Sequence, residues 1–218
     1  RARVDEGAVD LQHTVGKVTY LTFRRRGGPH GGRQFYGWMN FGDAPWGDGY
    51  SSGHYDWAYS TLLSYLRSAD TRQFQLGEQM ARHRLHIDQY HTTKDLYNVS
   101  GGQRFEKGEH HGDMTVPPTP SHTWVHGMLL YWALSGNEFA REAAEETLGF
   151  YRGYWTRVAA PYYGLGTEAR TGGWSLNGLV ELYDYLGHTE ALSLARRIID
   201  GFVAYEQAEN TSGYFMSD

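Results

Sequence analysis

The side chains best able to do chemistry are concentrated between Gly101 and Asp113, in the run Gly101-Gly102-Gln103-Arg104-Phe105-Glu106-Lys107-Gly108-Glu109-His110-His111-Gly112-Asp113. A second polar run, Ser121-His122-Thr123-Trp124-Val125-His126, follows a Pro-rich stretch and leads into an apolar segment. His110, His111 and His122 titrate near neutrality and suit a general base. Arg104 and Lys107 can hold a carboxylate, the guanidinium bidentately, and Glu109 and Asp113 add hydrogen-bonding oxygens. A loop that feeds a helix N-terminus favours anions through unpaired N–H groups and the helix dipole. Upstream, His83, His86, Asp88, Tyr90 and His91 form a further cluster. His91 stands where a helix should release into the long loop, a good place for a catalytic group. His54 and Tyr55 precede Trp57 at the start of another helix.

Each of these has a plainer reading. His83 and His86, three residues apart, could share a helix face with Tyr90; with Asp88 they offer metal ligands, but the spacing matches no zinc cage, and a surface or capping role is favoured. Asp43, Asp48 and Asp113 offer oxygens to calcium without EF-hand spacing; no other cofactor is expected. Ser121 lacks the Gly-x-Ser-x-Gly context of a nucleophile and reads as a helix N-cap. Neither a P-loop nor a dinucleotide fingerprint is present.

The elements that must position these groups repeat. Gly53-His54-Tyr55-Asp56-Trp57, Ser121-His122-Thr123-Trp124 and Gly172-Gly173-Trp174 each open an apolar-periodic run, and each run is followed by a short polar turn and a second run. Trp57 and Trp124 align without a gap, with Leu62 and Leu63 falling on Leu129 and Leu130; Leu179 and Val180 take those positions in the third copy. Helices are expected at roughly 54–68, 71–92, 122–135, 138–157, 173–186 and 189–208, with Asp70 and Asn137 as N-caps. Repeated hairpins joined by long loops (93–121 and 158–172) indicate an all-α fold, an (α/α) toroid. Three hairpins make an incomplete (α/α)6 barrel, so the chain reads as part of a larger one; a free-standing six-helix array is the alternative. Residues 1–53, with a strand pattern at 15–23 and Gly/aromatic loops, form an irregular or β-containing N-terminal segment ahead of the helical region 54–218.

Composition narrows the function. A net charge of -5 and the absence of any basic tract beyond Arg24-Arg25-Arg26 disfavour a nucleic-acid partner. No apolar run approaches the roughly 18 residues needed to cross a bilayer, so no membrane partner is expected. With 17 Tyr, 9 Phe and 7 Trp beside 28 Gly, many aromatics fall in apparent loops rather than at core-period positions. Aromatic platforms in polar clefts suit sugar rings. Trp46, Trp57, Trp124 and Trp174 are therefore substrate-stacking candidates, with Asn177 one turn after Trp174. The three Trp of the repeat also suit packing wedges between helices. There is no cysteine, which rules out a disulfide scaffold and thiolate metal sites.

The segments Tyr36-Gly37-Trp38-Met39-Asn40-Phe41-Gly42-Asp43, His54-Tyr55-Asp56-Trp57, 81–92 and Ser121-His122-Thr123-Trp124 with Leu129-Leu130-Tyr131 together resemble the central domain of exo-acting rhamnogalacturonan lyase-like (YetA-like) polysaccharide lyases. The likeness covers about residues 35–140. It implies an (α/α) toroid flanked by β-rich domains and cleavage of a uronic-acid-containing polysaccharide by β-elimination. A polysaccharide or oligosaccharide substrate follows from the same resemblance, and an extracellular or periplasmic setting is expected.

β-Elimination needs a base for the proton α to the uronate carboxylate, charge or hydrogen bonds for the enolate-like intermediate, and an acid for the leaving oxygen. His110, His111 or His122 is the expected base, Tyr55 or Tyr90 the acid, and Arg104 and Lys107 the carboxylate partners. His54 and His91 are further catalytic candidates. The enzyme rival is a toroidal glycoside hydrolase using two of Asp56, Asp88, Glu109 and Asp113. The rival from another class is a non-catalytic carbohydrate-binding or assembly module.

Overall fold

The computed structural model describes residues 44–46, 49–51, 55–92, 99–103, 118–157 and 169–209. A short antiparallel hairpin pairs β1 (Ala44–Trp46) with β2 (Gly49–Ser51), Ala44 opposite Ser51. Everything else of regular structure among the described residues is helical: α1 (Trp57–Ser68), α2 (Thr71–His83), α3 (His126–Ser135), α4 (Glu138–Arg157), α5 (Ala169–Leu186) and α6 (Thr189–Glu209). The fold class is all-α, as the periodicity predicts.

The helices pair as three hairpins because each short turn supplies both a stop and a start. Ala69 (φ 57°), Gly136 (φ 70°) and Gly187 (φ 70°) end α1, α3 and α5 in the left-handed conformation. Asp70 then caps α2 by accepting from the Arg72 amide at 2.9 Å, and Asn137 Oδ1 accepts from the Ala140 amide at 3.2 Å. Both act as the sequence predicts.

The first helices of the hairpins, α1, α3 and α5, lie side by side, with α3 touching both others. The second helices, α2, α4 and α6, each pack against their own partner, and α4 also touches α5 and α6. The core runs through the seams: Leu62, Leu76 and Met80 between α1 and α2, Met128 and Leu129 from α3, Tyr151 and Trp155 from α4, and Leu179, Leu182 and Ile198 from the last hairpin. At the flanks, Leu63 and Leu66 of α1, Val180 and Tyr183 of α5, and Ile199 and Val203 of α6 remain exposed. None of the helices is long and apolar enough to cross a membrane among the described residues.

Four helix ends differ from the sequence reading by three residues or more. The helix expected at 54 begins at Trp57. The helix expected to run to residue 92 leaves the α-helical register at His83, becomes a π-turn over Arg84–Asp88 and gives way to extended backbone at Gln89. The helix expected at 122 begins at His126, after a 3-10 turn over Pro120–His122. The helix expected at 173 begins four residues earlier, at Ala169.

Candidate functional site

The buried stripe of α2 continues past its end with charged residues. Gln73, Leu76, Gly77, Met80 and Ala81 face the core at helical spacing, and the π-turn carries the stripe on to Arg84, Leu85 and Asp88, all buried. A π-turn adds a residue per turn and is frequent at functional sites. Here it places a guanidinium and a carboxylate four residues apart on an inward face.

Arg84 is 7% exposed. Its Nη1 donates to Gln89 Oε1 at 2.8 Å and its Nη2 reaches the Trp124 carbonyl at 3.4 Å. Its Nε has no hydrogen-bond partner. Burial pulls the guanidinium down to about 10, while Asp88, then Asp56, act to raise it. It therefore stays charged at neutral pH, with its desolvation only partly offset. Around it is a cavity of ≈ 20 Å³ lined by Tyr55, Asp56, Trp57, Gln103, Trp124 and Asp88, over a floor that includes Met80 and Met128. Trp57 Nε1 is a second buried donor without a partner in this wall. The space suits a water-sized or carboxylate-sized group rather than a whole ring.

The cavity is framed by one carboxylate that caps two helices. Asp56 Oδ1 accepts from the Tyr59 amide at 3.0 Å in the first turn of α1, and Oδ2 accepts from the Gly127 amide at 2.9 Å in the first turn of α3. This approach requires glycine at 127, because a Cβ there would stand 2.8 Å from both Ala58 Cβ and the Tyr59 nitrogen, and nearer still to Asp56 Oδ1. Val125 at the N-cap of α3 offers no side-chain bond, so Asp56 performs the role the sequence assigns to Ser121.

Ser121 belongs to a separate polar knot. Its Oγ lies 2.7 Å from Thr119 Oγ1 and 3.0 Å from His122 Nδ1, and His122 Nε2 lies 3.0 Å from Arg170 Nη2. A guanidinium only donates, so His122 Nε2 is the acceptor, Nδ1 carries the proton, and the ring donates to Ser121. That arrangement neither activates Ser121 as a nucleophile nor leaves the Nε2 lone pair of His122 open to a substrate proton. Beside it, Trp124 meets Trp174 edge-on at 4.7 Å. With Trp124 4% exposed, this pair packs as a wedge, although Trp124 also contributes to the cavity wall.

His91 is held from both sides: Nδ1 is 2.6 Å from Glu146 Oε2 and Nε2 is 2.6 Å from the Leu85 carbonyl. Glu146 Oε2 also accepts from Gln89 Nε2 at 2.8 Å, so a hydrogen-bonded chain joins surface His91 to buried Arg84. His86 stacks on Phe139 at 5.1 Å, and burial, then Arg82 and His91, lower its pKa. His83 Nδ1 faces Asp88 Oδ2 at 3.5 Å. His86 and His91 thus share the Phe139 ring while His83 faces Asp88, and no group of His, Asp or Glu among the described residues is arranged to hold a metal.

Among the other sequence candidates, Tyr55 stands half-exposed at the cavity rim, edge-on to Trp57 at 6.3 Å. Tyr90 instead ties the loop through backbone bonds to Gly101 and Gly102. Trp174 is half-buried and Asn177 is exposed on α5. Trp46 lies in β1, of which only the backbone is described. His54, Arg104, Lys107, Glu109, His110, His111 and Asp113 lie outside the described residues, as do Asp43 and Asp48. The structure thus brings Tyr55, Trp57 and Trp124 to one cavity and leaves His91, His122 and Asn177 elsewhere.

Arg84, Gln103 and His126 are not among the sequence candidates. The signal for Arg84 is an arginine and an aspartate on the buried stripe of α2, where an apolar residue would be expected. The chain matches no family model, no curated protein and no solved structure.

Proposed function

We propose that this chain is part of an (α/α) toroid that cleaves a uronic-acid-containing polysaccharide, of rhamnogalacturonan type, by β-elimination. The observation that carries the reading is the buried guanidinium of Arg84. It has an unspent donor and lines a small cavity whose rim is aromatic. A uronate would insert its carboxylate toward Arg84 Nε and Trp57 Nε1 and rest its ring against the Tyr55 side of the rim.

In the reaction, a base removes the proton α to the carboxylate, that electron pair becomes the new C=C bond, and the C–O bond to the next sugar breaks. The leaving oxygen then takes a proton. Arg84 supports the charge that develops on the carboxylate. Tyr55, at the rim, is the acid of this scheme, and His54, His110 and His111 are its candidate bases. The resemblance in residues 35–140 supports the same chemistry, and the exposed apolar flanks of α1, α5 and α6 suit a ring continued by further hairpins. An extracellular or periplasmic setting belongs to the same proposal.

The hydrolase reading loses Asp56, whose two oxygens are both engaged by helix amides, and has to rest on two of Asp88, Glu109 and Asp113. Incubation with pectic rhamnogalacturonan should release products with the near-ultraviolet absorbance of an unsaturated uronate. Shortened products without that absorbance would replace lysis by hydrolysis. Affinity with no product would identify a binding module.

A further inference from the structure

A second set of groups gathers around Tyr59, whose amide Asp56 caps. His126, the first residue of α3, is 7% exposed, and its Nε2 has no hydrogen-bond partner. The atom faces Glu181 Oε1 of α5 at 4.0 Å, beyond hydrogen-bond length. Tyr59 of α1 lies against the His126 ring, centroids 5.4 Å apart and planes tilted by 59°. Tyr185, one turn beyond Glu181, is half-buried. Burial, then Glu181, raise the pKa of Tyr59 and Tyr185 alike, and each has a further anionic or phenolic neighbour: Asp56 for Tyr59, Tyr59 for Tyr185. The helices α1 and α3 each contribute one member and α5 two, and Glu181 keeps 24% of its side chain exposed, so its carboxylate is reachable from solvent on the α5 side.

A buried nitrogen left unpaired costs about 1–3 kcal/mol, a cost that a ligand accepting its hydrogen bond would relieve. The chemistry of the pair selects the ligand. Glu181 only accepts, and His126 Nε2 can donate. A hydroxyl bridges the two, giving its proton to Glu181 and accepting from His126, whereas a carboxylate would meet the Glu181 charge. The phenol rings of Tyr59 and Tyr185 supply the apolar contact that a sugar's C–H face requires. Trp57, in the first turn of α1, lines the Arg84 cavity, whereas Tyr59, two residues on, belongs to this cluster, and Asp56 lines the cavity while accepting from the Tyr59 amide.

We propose that His126, Glu181 and Tyr59 form a hydroxyl-reading subsite that takes a neutral sugar ring beside the acidic one held at Arg84. The inference rests on the glycan reading above, but it can fail separately.

The test is a titration of the full chain, labelled with nitrogen-15 in histidine, followed through the His126 ring resonances. The probes are methyl α-mannopyranoside, methyl β-glucopyranoside, D-galacturonate and methylammonium. A neutral glycoside is expected to move the His126 signals saturably. Glu181→Gln should weaken that response roughly tenfold or more, the loss expected for a hydrogen bond to a charged group, whereas Arg84→Lys should leave it unchanged. Glu181→Asp, which keeps the charge and withdraws it by one methylene, should give the same loss and serves if Glu181→Gln does not fold. The subsite is overturned if both neutral glycosides leave His126 unmoved, if their binding survives both Glu181 variants, or if only methylammonium responds. Neutral glycoside binding at His126 with no effect of Arg84→Lys on galacturonate affinity would sink the Arg84 reading and leave this one standing.

Discussion

The Arg84 cavity and the His122 knot are two polar clusters on neighbouring hairpins, and they use their hydrogen-bonding capacity in opposite ways. In the knot, Thr119, Ser121, His122 and Arg170 are linked by hydrogen bonds of 2.7–3.0 Å that occupy both ring nitrogens of His122. In the cavity, Arg84 and Trp57 keep donors that no described group accepts, and His126 does so just beyond the Asp56 cap. Both clusters contain the residue types expected of a site. The difference is unspent capacity: a closed network rigidifies the fold, whereas buried donors without acceptors carry a free-energy cost that a ligand can relieve.

The sharpest way to break this comparison is at Arg84. Arg84→Met removes the charge opposite Asp88 and strands the Gln89 and Trp124 acceptors, and should cost about 3–5 kcal/mol in urea unfolding. The double variant Arg84→Met/Asp88→Leu should recover most of that loss, because it removes the charge the single change leaves uncompensated. Arg84→Lys should fold, yet lose galacturonate affinity or lyase turnover by roughly tenfold or more, since a point charge cannot replace the guanidinium edge. If Arg84→Met is as stable as the parent, the charge is not held in the way described. If Arg84→Lys turns over normally, Arg84 is structural.

Next in size is the double cap. Asp56→Ala removes acceptors from two helix N-termini at once and should cost about 2–3 kcal/mol, against about 1 kcal/mol for Asp70→Ala, which caps α2 alone. Gly127→Ala should cost about 1–3 kcal/mol by forcing α1 and α3 apart. Urea midpoints for the three variants test the order. Equal losses for Asp56→Ala and Asp70→Ala would mean that Asp56 supports only one helix.

The hairpins are legible in the sequence because they rest on local rules. Apolar spacing, the Asp70 and Asn137 caps and the Gly136 and Gly187 stops act within a few residues and need no tertiary knowledge. The site is less so. Asp56 looks like a local cap, yet its second oxygen serves Gly127, 71 positions along the chain. Arg84 keeps the helical spacing of the buried stripe after Met80 and Ala81, yet its charge reads as that of an ordinary surface residue, and no propensity marks the π-turn that begins there. His122 has the residue type and placement of a base, but the arginine that takes its lone pair comes from α5, 48 positions away. Residue type is written locally; whether a donor is already spent is decided between elements.

The smallest effect belongs to the knot, and it is the control that gives the others meaning. Ser121→Ala removes one hydroxyl from a network in which Thr119 Oγ1 lies 3.4 Å from His122 Nδ1 and can take its place. The expected cost is about 1 kcal/mol in unfolding, with glycan turnover and affinity unchanged within roughly twofold. His122→Gln should likewise act on stability alone, because its amide oxygen can still accept from Arg170. If either variant abolished turnover while the fold held, the knot would have to open during the reaction. His122, released from Arg170, would then be the base that its place in the sequence first suggests.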